Sequence, residues 1–148
     1  MTTIDFYVHV DDKHDTVRKL CSKALATKAR LVLWTADRAA SQRLSKLLWS
    51  VPSTGFVPHV SGTDPLAAVT PIILDCEAGP FPHDEVLVNL RTEVPPFFSR
   101  FQRLIEIVSA SDEDDRRDAR DRFRHYRDRG YEIRTHDMAR TQAGAAAR

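Results

Sequence analysis

Arg116, Arg120 and Arg124 stand four residues apart and carry the clearest chemical signal in the chain. On a helix, residues at that spacing share a face, so the three guanidinium groups form one stripe, with Phe123 and Arg127 beside it. A guanidinium is a planar fork that grips a carboxylate through two parallel hydrogen bonds. A neighbouring phenylalanine adds apolar surface. Together they read as a slot that takes an apolar side chain while arginines clamp a carboxylate. The competing reading is a solvated face laced with ion pairs, because eight Asp or Glu interleave with eight Arg between Ser111 and Arg134. A third reading is direct binding of single-stranded nucleic acid along the stripe, against which the interleaved acids count.

The second signal is the segment from Trp49 to His59, WSVPSTGFVPH. Pro52 and Pro58 restrict its conformations, so it can present Trp49, Phe56, Val57 and Pro58 at reduced entropic cost. Trp and Phe are good anchors at protein interfaces. The same residues could equally close the core over a sheet, and the chemistry alone does not choose.

Other chemistries lack their signatures. Neither G-x-G-x-x-G nor G-x-x-x-x-G-K-[ST] occurs, and the five glycines never cluster. None lies in the turn after the first strand, where a backbone must approach a pyrophosphate closely. The six histidines never pair with another His or Cys at metal-ligand spacing. His83-Asp84-Glu85 reads as a polar loop before a strand. There is no G-x-S-x-G elbow. Neither catalytic residues nor a cofactor or metal site is expected.

Composition sets the frame. Hydrophobic residues make up 42% and charged residues 29% of 148 residues, ordinary for a globular domain. The 22 basic and 21 acidic residues leave a formal charge of +1, too even for a protein whose main task is gripping duplex DNA. Cys21 and Cys76 lie far apart in apolar surroundings and are both expected to be buried, reduced thiols. The amino terminus shows no signal-peptide pattern, and no apolar run approaches the roughly 18 residues of a membrane span. The cytoplasm is the expected compartment.

Periodicity supplies the elements that must position these residues. Ile4 to Val10 alternates as a strand. Asp12 to Asp15 supply turn and cap chemistry, and Val17, Leu20, Cys21, Ala24 and Leu25 then recur at helical spacing, with Asp15 or Thr16 near the N-cap. Leu31-Val32-Leu33-Trp34 has the apolar continuity of a buried parallel strand. Asp37 caps a second helix through Leu48. Residues 50–65, rich in Pro and Gly, read as loop or irregular strand. Residues 70–75, 85–90 and 104–108 are further strand candidates, with a short helical turn around Phe97, Phe98 and Phe101. A charged helix runs from about Asp112 to a glycine C-cap at Gly130, and Tyr131 to Arg134 adds an edge strand. Strands alternating with helices predict a three-layer α/β domain over residues 1–138, with a mostly parallel sheet flanked by helices. A disordered tail is expected over residues 139–148, because TQAGAAAR offers no core former beyond alanine.

These landmarks together resemble the chi subunit of the bacterial DNA polymerase III holoenzyme. The likeness rests on Phe6-Tyr7 in the opening strand, then Trp49, Pro52 and Phe56-Val57-Pro58-His59. Leu90-Arg91-Thr92, the arginine-bearing helix and Gly130-Tyr131 follow in order. It spans about residues 4–136, and Phe-Val-Pro-His after a Trp is its most specific element.

The resemblance implies a Rossmann-like fold without the nucleotide-binding loop. It further implies a non-catalytic adaptor that links the clamp loader, through psi, to single-stranded DNA-binding protein (SSB) during DNA replication. The SSB tail is acidic and ends in phenylalanine; the resemblance places its binding on Arg116, Arg120, Phe123 and Arg124. Phe123 stands where the family can have tyrosine, Arg124 where it can have lysine, and Ser109 where it can have an apolar residue. Psi, or a competing accessory helicase, maps to Trp49, Phe56, Val57 and Pro58. Nucleic acid is reached only through SSB.

Overall fold

The computed structural model describes residues 2–50 and 59–139, the side chains of Trp49 and Ser50 excepted. The chain runs β1 (Thr3–Val10), α1 (Lys13–Thr27), β2 (Leu31–Trp34), α2 (Arg38–Ser50), β3 (His59–Val60), β4 (Ile72–Asp75), β5 (Val86–Asn89), β6 (Arg103–Ser109), α3 (Glu113–Asp128) and β7 (Glu132–Asp137). The strands form a seven-stranded sheet in the order β3-β4-β2-β5-β6-β1-β7. Every pairing is parallel. The expected α/β layering is therefore present, with a sheet more uniformly parallel than anticipated.

Alternation along each strand sorts the core into two halves. Ile4, Phe6, Val32, Trp34, Ile73, Leu87 and Leu104 point to one face, where Ala119 and Tyr126 of α3 and the aromatic turn of Phe97, Phe98 and Phe101 cover them. Leu31, Leu33, Ile72, Leu74, Val88, Ile105 and Ile107 point to the other, under Val17, Cys21 and Ala24 of α1 and Leu44 and Leu48 of α2. Strands buried on both faces need this near-continuous apolar run, which is why LVLW reads as it does. The aromatic turn, in the connection from β5 to β6, packs into the same cluster as the residues of α3. Trp34 meets Phe97 edge-on at 5.0 Å and takes the Arg91 guanidinium 4.2 Å above its ring.

The ends of the elements follow local chemistry. The N-cap of α1 is Asp12 rather than Asp15 or Thr16; its carboxylate accepts from the amides of His14 and Asp15 at 3.0 and 3.2 Å. Capping starts earlier because β1 ends in a bulge: the register against β6 slips between Tyr7 and Val10, and His9 adopts φ 57°. Asp37 caps α2 as expected, accepting from Ala40 N at 2.7 Å. Gly130, at φ 82°, follows α3 in the conformation that glycine adopts without strain.

The two thiols diverge. Cys21, on the inner face of α1, is buried, and burial pushes its thiol up to about 12. Cys76 is only half-buried, contrary to expectation, because it falls just past β4 in a turn whose amides bind the Asp75 carboxylate. The expected tail, beyond Ala139, lies outside the described residues. No helix among the described residues is long and apolar enough to cross a membrane.

Candidate functional site

The arginine helix begins at a well-made cap. Asp112 accepts from the amides of Asp114 and Asp115 at 3.0 and 3.2 Å, and Glu113, Asp114 and Asp115 place negative charge at the positive end of the helix dipole. His125 and Arg127 occupy the last turn, with the opposite sign. Ser109 closes β6 and helps the entry: its hydroxyl accepts from Ser111 N and Asp112 N at 3.2 and 3.1 Å.

A buried ionic network fixes the helix on the sheet. Glu106, in the middle of β6, is wholly buried. Its carboxylate accepts from Arg122 Nε at 3.1 Å, Tyr126 Oη at 2.6 Å and Asn89 Nδ2 at 3.1 Å. Arg122, only 3% exposed, also donates from Nη1 to Thr92 O at 2.9 Å. Burial raises the Glu106 carboxyl above its ordinary range, against the opposing pull of the Arg122 charge and the hydrogen bonds. The Tyr126 phenol is raised too, by burial and then by the carboxylate beside it. Ala119, Arg122 and Tyr126 therefore form the inward row. With that row fixed, helical geometry turns Arg116, Arg120 and Phe123 toward the carboxyl end of β1.

There the stripe borders a hollow of about 240 Å³ lined by Phe6, Val8, His9, Val108, Arg116, Ala119, Arg120 and Phe123. Phe123 packs edge-on against Phe6 with ring centroids 5.3 Å apart. A second hollow, about 270 Å³, lies between Arg120, Phe123 and Arg124. Arg120 and Phe123 are common to both and form the ridge that divides them. The first lies at the carboxyl ends of β1 and β6, the end of a parallel α/β sheet where ligands are usually found.

The guanidinium groups are not equivalent. Arg116 is tied to Glu113 at 2.9 Å and to Ala110 O at 3.3 Å. Arg124 is paired with Asp121. Arg120 is exposed and, among the described residues, makes no ion pair. Exposed pairs one turn apart are worth only about 0.2–1 kcal/mol, so an incoming carboxylate can exchange for Glu113 or Asp121 at little cost.

The structure thus brings the four expected residues to one place, and it adds Phe6, Val8, His9, Val108 and Ala119. Ser109 does not form the apolar edge; Val108 next to it does. The signal that could have found Phe6 and Val8 is the period of two along β1, which puts Ile4, Phe6 and Val8 on the one face that α3 covers. Phe56, Val57 and Pro58 lie outside the described residues, as does the side chain of Trp49. No group of three or more His, Cys, Asp or Glu arranged to hold a metal ion occurs among the described residues.

A sequence model of the family described as DNA polymerase III chi subunit, HolC, matches residues 1–134. The chain belongs to this family. It is also 34% identical over 145 residues to the DNA polymerase III subunit chi of Pseudomonas aeruginosa, an alignment covering 95% of this chain and 99% of that protein. Membership accounts for the landmarks from Phe6-Tyr7 to Gly130-Tyr131, all inside the matched span. It also fits a Rossmann-like sheet whose first turn, at Asp11-Asp12, carries no glycine.

Proposed function

We propose that this chain is a non-catalytic adaptor subunit of the replicative DNA polymerase III holoenzyme. It works in the cytoplasm and links the clamp loader, through psi, to the carboxyl-terminal tail of SSB. The observation that carries the tail-binding part is the ridge of Arg120 and Phe123. An uncommitted guanidinium stands there at the mouth of an apolar hollow.

An SSB tail ends in a phenylalanine whose ring and free carboxylate share one residue. The ring enters the hollow over Phe6, Val8 and Val108, while Arg120 takes the carboxylate. Arg116 and Arg124 attract the upstream acids. Burying a phenylalanine side chain contributes about 1.5–3 kcal/mol, and a charge-assisted hydrogen bond a similar amount. With the acidic residues added, affinity in the micromolar range, near 8 kcal/mol, is the expectation. Because SSB is tetrameric, several tails raise the effective concentration. Psi, or an accessory helicase in its place, docks on Trp49, Phe56, Val57 and Pro58.

Direct nucleic-acid binding by the same helix is the weaker reading. Arg116, Arg117, Arg124 and Arg127 each carry an acidic neighbour within ion-pair distance, which cancels the surplus that phosphates need.

The test is calorimetry with an acidic peptide ending in phenylalanine. The free-acid peptide binds, its carboxamide counterpart binds at least several-fold more weakly, and salt weakens both. No binding at millimolar free-acid peptide removes the reading.

A further inference from the structure

The helix at the other end of the sheet has the opposite electrostatic design. Along α2, Arg38, Arg43 and Lys46 are exposed, and among the described residues none of them makes an ion pair or a side-chain hydrogen bond. From Arg38 to Thr63 the sequence contains no Asp or Glu at all. In a chain with 21 acids in 148 residues this is an abrupt segregation, and no part of that stretch can neutralise its cations. The nearest acids are already engaged. Asp37 caps Ala40 N at 2.7 Å, Asp64 holds Leu66 N at 2.8 Å, and Asp75 takes the amides of Gly62, Cys76 and Glu77.

These cations flank a continuous depression. One hollow of about 210 Å³ lies between Arg38, Ser41, Gln42 and the short edge strand β3. A second, about 610 Å³, runs from Ala39 to Lys46 and shares Gln42 and Ser45 with the first. Among the described residues, the hydroxyl, amide, guanidinium and ammonium groups of α2 stand beside His59, Val60 and Leu74. Phosphodiester oxygens are contacted by Arg, Lys, Ser and Gln.

We propose that the α2–β3 groove tracks the backbone of single-stranded nucleic acid, on the face of the sheet opposite the tail-binding hollow. Charge complementarity selects the polyanion, and the net charge of +1 on the whole chain makes the contact local and weak. It stands independently of the SSB-tail reading.

Fluorescence anisotropy of the full chain with a labelled oligothymidylate tests it. Three phosphate contacts give binding at about 20 mM salt with a log–log salt slope near −2. Arg43→Ala with Lys46→Ala, both at exposed helical positions, lowers affinity at least tenfold and brings the slope to about −0.7. The reversal Lys46→Glu abolishes binding in a chain of unchanged circular dichroism. Arg120→Ala with Arg124→Ala changes neither affinity nor slope. The proposal is overturned if the oligonucleotide does not bind, or if the α3 pair rather than the α2 pair removes binding. It also fails if polyglutamate binds the α2 cations as tightly, which would assign the groove to an acidic protein segment.

Discussion

At the scale of single residues, what distinguishes the arginines of α3 is the company each keeps. Among the described residues Arg120 meets no acid, so its donor set is available to a carboxylate. Arg120→Ala is therefore expected to weaken the acidic peptide by about tenfold or more, the worth of one charge-assisted contact. Arg124 starts from its pair with Asp121, so Arg124→Ala costs several-fold, less than Arg120→Ala. The partner acid gives the sharper check. Asp121→Ala releases Arg124 and removes a like charge from the peptide's path, so affinity rises. Calorimetry on the three variants orders them. Equal losses at Arg120 and Arg124, with no gain at Asp121, would show that the arginines act only as a diffuse field.

At the scale of elements, one buried pair decides where the stripe points. A glutamate inside Leu104-Ile105-Glu106-Ile107-Val108 is costly unless a cation reaches it, and Arg122 does. Removing either partner leaves the other charged and buried. Arg122→Ala is thus expected to cost about 3–5 kcal/mol in chemical unfolding, whereas exposed Arg117→Ala stays within about 0.5 kcal/mol. Here the sequence was partly legible. Strands with a period of two, and helices with an acidic start and a glycine end, could be read directly, because those patterns depend on near neighbours. Arg122 could not be told from Arg117, since only contact with β6 reveals which arginine turns inward. The N-cap of α1 was misplaced for a similar reason: the bulge at Val8 and His9 depends on pairing with β6.

The edge strand β7 offers a second test at this scale. Asp5 is buried on β1, and burial alone would raise its carboxyl. Hydrogen bonds from His136 at 2.9 Å, Arg103 at 2.5 Å and Arg134 at 3.0 Å outweigh that, so it titrates below its ordinary range. A carboxyl lowered in the folded state stabilises above its unfolded pKa of about 3.9, and that stabilisation disappears as pH falls through the folded value. Asp5→Asn is expected to reduce stability at neutral pH and to flatten the loss as pH falls below about 4. Parallel acid-unfolding curves for the two chains would show that the clamp between β1 and β7 contributes nothing to acid sensitivity.

On the scale of the whole molecule, a formal charge of +1 conceals two unlike ends. The α3 face mixes acids with arginines around an apolar hollow, which suits a short peptide that brings both an acid and a ring. The α2 end carries cations without acids, which suits a phosphate chain. The core clusters put these helices on opposite sides of one sheet, and the two hollows have no lining residue in common among the described residues. Distant sites without shared partners act additively. Saturating oligothymidylate should therefore leave the peptide dissociation constant unchanged within about twofold at fixed salt, since effects at uncoupled sites add within about 0.5 kcal/mol. The combined variant Arg43→Ala, Lys46→Ala, Arg120→Ala should lose both ligands by the same factors as its parents. Competition between peptide and oligonucleotide, measured by anisotropy with each ligand labelled in turn, would mean that both draw on the α3 stripe and that the segregation of charge along the chain has no functional counterpart.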